Sequence, residues 1–140
     1  MTSEVLNIFD VDSRTLVKDL TFARLYYISE IDLFEVEYQG NCIVDRKEAL
    51  QIIRANRDFN NSSNRLAMAT STKDFFNMTP EARATFSEQM KLEVGFQKMA
   101  LVANSLAYKI LANFFIRFNR PVVPTKVFNS RKKAIAWLIE

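Results

Sequence analysis

Residues 96–140 decide the fold of this chain, and they read FQKMALVANSLAYKILANFFIRFNRPVVPTKVFNSRKKAIAWLIE. The apolar run Phe96–Ala103 has the length of a buried strand, and the Asn-Ser pair at 104–105 directly after it opens a helix. The same order returns at Thr125–Phe128, where Asn-Ser at 129–130 opens a final helix. Buried strands that alternate with helices pair in parallel, so this stretch predicts an α/β domain.

Upstream of this stretch, short apolar segments predict further strands at Glu4–Val11, Phe22–Ile28, Ile31–Tyr38 and Arg65–Thr70. A capping box at Asp45–Glu48 predicts a helix that ends near Asn56, and Thr79-Pro80-Glu81 predicts the start of another. The expected fold is a mixed, mostly parallel sheet of about four to five strands with about four helices, preceded by an N-terminal hairpin or strands. No repeat or linker divides the sequence, so we expect a single domain over residues 1–140.

The composition excludes several kinds of site. The chain has no histidine and one cysteine, Cys42, so it lacks the commonest general base and the usual zinc and iron ligands. Its two glycines, Gly40 and Gly95, cannot form a phosphate-binding loop. Glu35 and Glu37 alternate with apolar residues, so we expect them on the solvent side of their strand, away from any apolar pocket. We therefore expect no metal, no cofactor and no catalysis.

The charges are divided unevenly along the chain. Residues 1–90 carry a net charge of −4, and residues 91–140 carry a net charge of +7. The basic half contains no aromatic–basic motif, so we expect no nucleic-acid partner; cations attracted to helix C-termini are the alternative explanation. The apolar stretch Met99–Phe118 is interrupted with helical period, which argues against a membrane span. With no secretion signal at the N-terminus, we expect a cytoplasmic protein.

Four segments resemble a group of small, mostly bacterial proteins related to the STAS domain of sulphate transporters and anti-sigma-factor antagonists: Met99–Ser105, Leu111–Pro121, Pro124–Phe128 and Ala134–Leu138. Thr79–Arg83, where that family also opens a helix, matches more weakly. The match covers about a third of the chain, and residues 1–30 match poorly. The resemblance implies a compact domain used for protein–protein switching, with a protein partner and no catalytic pocket.

The same resemblance implies a site at Thr79. In anti-sigma-factor antagonists, a serine preceded by aspartate opens the helix after the central strand and is phosphorylated by a kinase. Thr79 stands at the matching position, with Met78-Thr79-Pro80 in place of the Asp-Ser pair. A phosphate here would meet the positive end of a helix. The alternative is that Thr79 only caps the helix.

Two loops are candidate partner-binding or anion-binding sites. Ser71 and Thr72 follow one inner strand, and Asn104 and Ser105 follow the next. Both loops should emerge at the carboxyl edge of the sheet, where open α/β sheets bind ligands. Their hydroxyls and helix-start amides suit an anion, although such caps also occur for structural reasons alone.

The helix predicted from Ser105 to Phe118 has a polar flank formed by Lys109, Asn113 and Arg117 at four-residue spacing. This flank is a candidate ledge for an acidic partner or an anionic headgroup; tying the helix to a neighbouring loop is the alternative. Arg131-Lys132-Lys133 lies at a helix start, where cations are unfavourable, and the sequence alone offers no reason for it.

Three functions remain open at this level. The first is a regulatory, protein-binding module that acts through the helix opened by Thr79. The second is a carrier or sensor of an apolar or anionic, lipid-like ligand, by analogy with CRAL-TRIO domains, with a cavity among Phe86, Phe114, Phe115 and Phe118. The third is nucleic-acid binding by the basic half. An exposed edge strand also leaves a homodimer open.

Overall fold

A computed structural model of the chain describes residues 13–59, 64–72, 77–92 and 96–140. The strand predicted at Glu4–Val11 lies outside these residues. The strands are β1 (Thr15–Asp19), β2 (Ala23–Ile28), β3 (Leu33–Tyr38), β4 (Ile43–Val44), β5 (Arg65–Ser71), β6 (Asn77–Met78), β7 (Phe96–Val102) and β8 (Thr125–Phe128). The helices are α1 (Arg46–Phe59), α2 (Pro80–Leu92), α3 (Leu106–Phe114) and α4 (Arg131–Leu138). A π-helical turn, Phe115–Asn119, continues α3.

The main sheet has six strands in the order β1-β2-β3-β5-β7-β8, and β4 and β6 form a separate parallel pair. β1, β2 and β3 pair antiparallel, whereas β3, β5, β7 and β8 pair in parallel. The predicted α/β class, the four helices and the mostly parallel pairing are confirmed. The expected number of strands in the sheet was too low, because β1 and β2 extend the sheet through a hairpin instead of preceding it.

The two faces of the sheet are covered differently, because side chains alternate between the faces along each strand. One face packs against α1, α2 and α3, and we call it the three-helix face. The opposite face packs against α4, and we call it the α4 face. On β3, Phe34 and Tyr38 belong to the core of the three-helix face, whereas Leu33 belongs to that of the α4 face.

The predicted helix starts of the C-terminal half are confirmed by their caps. The Ser105 hydroxyl accepts a hydrogen bond from the Tyr108 amide at 3.1 Å, and the Ser130 hydroxyl accepts one from the Lys133 amide at 3.2 Å. In each case the cap satisfies a backbone N–H that the first helical turn leaves without a partner. These two caps fix where α3 and α4 leave the carboxyl edge of the sheet.

α1 continues to Phe59, past its predicted end near Asn56. The guanidinium of the buried Arg65 donates to the Asn56 side-chain oxygen at 2.6 Å. It also lies 5.5 Å from the Phe59 ring and 5.8 Å from the rings of Tyr27 and Phe34. This buried cation fixes the last turn of α1 against β2 and β3, which is a tertiary contact that helix periodicity does not reveal.

Candidate functional site

A cavity of about 150 Å³ lies between the three-helix face and its helices. Its wall is almost wholly apolar and includes Phe34, Val36, Ile52, Ile53, Met78, Phe86, Phe96, Met99, Leu101, Leu111 and Phe115. Enclosed apolar cavities of about this volume hold a molecule the size of benzene, or a xenon atom, and the space here is similar in volume but partly open at its rim. The cavity therefore has the size and chemistry of a binding site for a small apolar molecule.

Small side chains explain why this space is open. β5 crosses the middle of the sheet and lines the cavity with Ala67 and Ala69, and α3 lines it with Ala112. Interiors normally pack at the density of organic crystals, so space of this size inside a core requires small residues at its wall. A leucine at any of these positions would occupy part of the volume.

The polar groups at the cavity are few. Tyr38 and Tyr108 are fully buried; burial raises the pKa of both hydroxyls, and Tyr108 adds to the rise at Tyr38. Both hydroxyls therefore stay protonated and neutral. The cation at the wall is the buried Arg83, which donates to the Met78 carbonyl at 2.8 Å and lies 4.7 Å from the Phe114 ring. An uncharged ligand fits this wall, and a polar end of a ligand would find a donor at Arg83.

The predicted cavity residues divide into two groups. Phe86 and Phe115 line the cavity, whereas Phe114 and Phe118 lie on the exposed side of the same helical run. Successive helical residues are about 100° apart, so Phe115 can point inward while Phe114 and Phe118 share the opposite side. The prediction of a cavity under this helix located the helix correctly but placed Phe114 and Phe118 on the wrong side of it.

On the α4 face, Glu35 is fully buried, so the expectation that it faces solvent was wrong. Its carboxylate accepts from Arg14 Nη1 at 2.8 Å and from Arg131 Nη2 at 3.0 Å. The Thr70 hydroxyl donates to the same carboxylate at 3.1 Å. Arg14 lies before β1 and Arg131 lies at the start of α4, so residues distant in sequence cover Glu35. We call Arg14, Glu35, Glu37, Thr70 and Arg131 the charge cluster.

Arg14 joins two carboxylates, because its Nη2 also lies 2.7 Å from a Glu37 oxygen. Its guanidinium stacks on the Tyr26 ring at 3.6 Å. Burial alone would lower the pKa of Arg14, but the carboxylates of Glu35 and Glu37 raise it overall. Both Glu35 oxygens accept from partners within the cluster, so this geometry suits a clamp between β3, α4 and the segment before β1.

The charge cluster also explains why a cation, Arg131, lies at the start of α4, which the sequence alone did not explain. The cation at the start of α4 is unfavourable for the helix dipole, but it pairs with a buried carboxylate. Beside this pair, a cleft of about 230 Å³ lies at the carboxyl edge of the parallel strands. Its wall consists of Glu35, Glu37, Thr70, Ser71, Val102, Asn104, Asn129, Ser130 and Arg131.

Two of the predicted loop residues meet in this cleft. The Asn104 side-chain amide donates to the Ser71 carbonyl at 3.2 Å, which joins the ends of β5 and β7. The Thr72 hydroxyl donates to the Tyr38 carbonyl at 3.3 Å, and Ser105 caps α3. The expectation that both loops emerge at the carboxyl edge therefore matches the topology. Ser71 and Asn104 line the cleft, and Thr72 and Ser105 bond to backbone.

Thr79 lies at a joint between two helix starts, apart from the residues that line the cavity and the cleft. Its hydroxyl accepts from the Ala82 amide at 3.1 Å and donates to Asp45 at 2.8 Å. Asp45 also accepts from the Arg46 amide at 2.8 Å, and its own amide donates to Glu48 at 3.0 Å. The Thr79 hydroxyl and the Arg46 amide both lower the pKa of Asp45.

The predicted ledge residues Lys109, Asn113 and Arg117 are all exposed. They lie beside four exposed apolar side chains of the same helical run, Leu106, Ile110, Phe114 and Phe118, which we call the α3 ridge. The sequence pattern identified both sets of residues. It did not show that the ridge is exposed, because only three-dimensional packing decides which of two apolar sides faces the core.

Sequence reasoning missed the charge cluster, although it noted three of its members, Glu35, Glu37 and Arg131. Arg131 at a helix start was unusual, but Glu35 looked like an ordinary solvent-side residue, so nothing paired the two. Their separation of 96 residues removes any local signal that would join them. Within the described residues, no three His, Cys, Asp or Glu side chains converge as a metal ligand set. Every helix in these parts of the chain is too short or too polar to cross a lipid bilayer.

Comparison with known proteins identifies the class of fold and then the family. The chain is similar to the crystal structure of an uncharacterised protein of the DUF3478 family from Shewanella loihica PV-4, which has a SpoIIAA-like fold. The TM-score is 0.53 at 10% identity, and the match covers 89% of this chain and 91% of that one. This likeness confirms the STAS-like, SpoIIAA-like fold.

Residues 26–140 match the domain of unknown function DUF7793, so the chain belongs to that family. A comparison with curated proteins gives no match.

Proposed function

We propose that this protein is a non-enzymatic carrier or sensor that holds a small apolar molecule between the three-helix face and α1–α3. The observation that carries the proposal is the apolar cavity of about 150 Å³. Empty apolar space in a core weakens the folded state, because its lining atoms lose contacts. A ligand that restores those contacts binds with a favourable free energy, and binding would in turn stabilise the fold.

The cavity wall defines the class of ligand. Aromatic and aliphatic side chains surround the space, and the tyrosine hydroxyls at its wall are neutral. A charged group placed among them would lose its hydration without a counter-ion. Arg83 is the position at which an anionic end could be accepted. The ligand is therefore a ring or short alkyl chain, and an anionic end, where one is present, lies at Arg83.

Titration of the full chain with toluene and with hexanoate, followed by amide NMR, tests this proposal. We expect toluene to shift resonances of α1, α2, α3 and the inner strands. Ala112→Leu fills the cavity from the buried side of α3 and should abolish these shifts. Ala136→Leu, at an exposed position of α4, is the matched control and should leave them unchanged.

Hexanoate tests whether the site accepts a ligand with an anionic end as well as a neutral apolar one. If the anionic end is accepted at Arg83, Arg83→Met should weaken hexanoate binding and leave toluene binding intact. Native mass spectrometry of freshly purified protein complements the titration, because a resident ligand adds mass that Ala112→Leu removes. Titrations without shifts in α1–α3, together with no added mass, would contradict the carrier function.

Regulated protein binding is the second candidate, and the joint between Thr79 and Asp45 favours it. Phosphate on the Thr79 hydroxyl would remove its donated hydrogen bond and place a second negative charge beside Asp45. The starts of α1 and α2 would then separate, which changes the surface offered to a partner.

Affinity capture from extracts of the native cells compares wild-type protein with Thr79→Val and Thr79→Glu. A partner that binds the wild-type chain and Thr79→Val but is lost with Thr79→Glu supports the switch. Recovery that is equal for all three forms, or absent for all, contradicts it. Thermal unfolding of each variant shows whether the fold is retained.

A further inference from the structure

The α3 ridge is a continuous apolar strip on the outside of the molecule. The exposed fractions of Leu106, Ile110, Phe114 and Phe118 are 75%, 61%, 43% and 60%. Their four-residue spacing places them along one side of the helical run, and the rings of Phe114 and Phe118 contact each other at a tilt with centroids 4.3 Å apart. The run extends from Leu106 to Asn119 and is about 20 Å long. Exposed apolar strips of this kind mark surfaces that contact a partner or a membrane.

The polar side chains that flank the ridge are cationic or neutral. Lys109 and Arg117 are exposed on the same helical run, and the Arg117 guanidinium lies 5.4 Å from the Phe118 ring. Arg120 is exposed directly after the run. The partner that complements this surface therefore carries negative charge and accepts apolar side chains.

The elements around the ridge differ in charge. No aspartate or glutamate occurs between Glu93 and Glu140, so α3, β8 and α4 carry no carboxylate. α2 packs beside the end of the run, where the Ser87 hydroxyl donates to the Asn119 carbonyl at 2.7 Å, and it carries exposed Glu81 and Glu88.

We infer that the α3 ridge and its flanking cations form a contact surface for an anionic lipid membrane, with the helical run lying parallel to the bilayer. Helices that bind in this way carry Phe and Leu on one side and Lys and Arg beside them, and the apolar side enters the headgroup boundary. Each cation near an anionic surface adds to the attraction. A second copy of the chain complements the strip poorly, because the same cations would meet across the interface.

The opposite side of the same helical run lines the cavity through Leu111, Ala112 and Phe115. Membrane contact would therefore bring one wall of the proposed ligand site to the lipid surface. The inference extends the proposed function but does not depend on it, because the ridge and its charges exist whether or not the cavity holds a ligand.

Co-sedimentation of the full chain with lipid vesicles tests the inference. We expect vesicles that contain phosphatidylserine to bind at least about tenfold more tightly than pure phosphatidylcholine vesicles. Combining Ile110→Ser with Phe118→Ser should weaken binding at least about tenfold, because two exposed apolar side chains no longer enter the bilayer. Lys109→Gln and Arg117→Gln should each weaken it about fivefold.

Matched substitutions elsewhere on the molecule test whether the loss of vesicle binding is specific to this surface. Ile43→Ser removes an equally exposed apolar side chain from β4, and Lys47→Gln removes an exposed cation from α1. Both should leave vesicle affinity unchanged within about twofold. Circular dichroism melts of all variants should match the wild-type protein, because the substituted side chains are exposed.

Three results would overturn the inference: no vesicle binding, equal binding to both vesicle types, or a concentration-dependent dimer that the ridge substitutions dissociate while vesicles do not bind. Ala112→Leu distinguishes the two proposals, because it fills the cavity but leaves the ridge intact. If Ala112→Leu still binds anionic vesicles, the membrane surface stands, whatever the outcome of the ligand titrations.

Discussion

The two faces of the sheet achieve burial in different ways. Three helices cover the three-helix face, and the small residues beneath them leave an apolar cavity. One helix of eight residues covers the α4 face, where Leu33, Met68 and Ala100 pack against it. Next to the N-terminus of α4, the charge cluster covers β3 in place of a helix.

This comparison shows that helical cover and tight packing are separate properties. The face with more helical cover contains an apolar cavity, and the face with less is completed by paired charges. Buried ion pairs are sensitive to the loss of one partner, whereas a lined cavity tolerates added volume. Removal of a charged partner on the α4 face should therefore destabilise the fold strongly, whereas added volume on the three-helix face should cost little stability.

Breaking the charge cluster should have the largest effect. Glu35→Ala leaves Arg14 and Arg131 close together and without their shared carboxylate, which should cost about 3–5 kcal/mol of unfolding free energy. Urea unfolding measures this cost. The matched control is Arg24→Ala, which removes the exposed pair between Arg24 and Asp19 and should cost under about 1 kcal/mol. Equal losses of unfolding free energy for the two variants would mean that the buried position of Glu35 adds nothing to stability.

The same enlargement on the two faces sharpens the comparison further. Ala100→Leu enlarges a fully buried alanine of the α4 face, and overpacking there should cost about 1–3 kcal/mol. Ala112→Leu adds the same volume beside the cavity and should change stability by less than about 1 kcal/mol. Chemical unfolding of both variants is the measurement. A cost for Ala112→Leu as large as that for Ala100→Leu would indicate that the three-helix face is already filled.

The smallest effect concerns how α1 and α2 are held on the three-helix face. Thr79→Val removes a helix cap and should cost about 1 kcal/mol at neutral pH. The Thr79 hydroxyl also lowers the pKa of Asp45 below its ordinary value of 3.8. A lowered folded pKa gives stability that is present above 3.8 and is lost as pH falls through the lowered value.

The stability difference between wild type and Thr79→Val should therefore stay constant above pH 3.8 and narrow below it. Unfolding curves recorded across the acid range measure this narrowing. Thr125→Val, which removes a hydroxyl bonded to the Val123 carbonyl, is the control and should show no change in the difference with pH. A constant difference for Thr79→Val through the acid range would show that Asp45 is not coupled to the hydroxyl.

The C-terminal elements could be predicted from sequence because their signals are local. β7, β8 and the caps at Ser105 and Ser130 each depend on a few neighbouring residues, and the structure places them where the pattern indicated. The right number of strands could not be obtained in this way. Whether β1 and β2 join the sheet depends on pairing between strands, which short segments do not encode.

The candidate site was predictable only in part. A cavity under the helix predicted from Ser105 was expected only by analogy with CRAL-TRIO domains. The side of this helix that faces outward could not be predicted, because Phe114 and Phe115 are equally apolar. Alternation placed Glu35 opposite Phe34, but what covers Glu35 is Arg131, 96 residues away. Long-range pairs of this kind follow from topology and leave no trace in local periodicity.

The central claim is that the three-helix face contains open apolar space and the α4 face does not. A crystal structure of the protein under xenon pressure tests this most directly, because xenon occupies dry apolar cavities. We expect xenon density among Ala69, Phe86, Leu111 and Ala112 and none beneath α4. Density absent from both faces, or present only beneath α4, would contradict the claim.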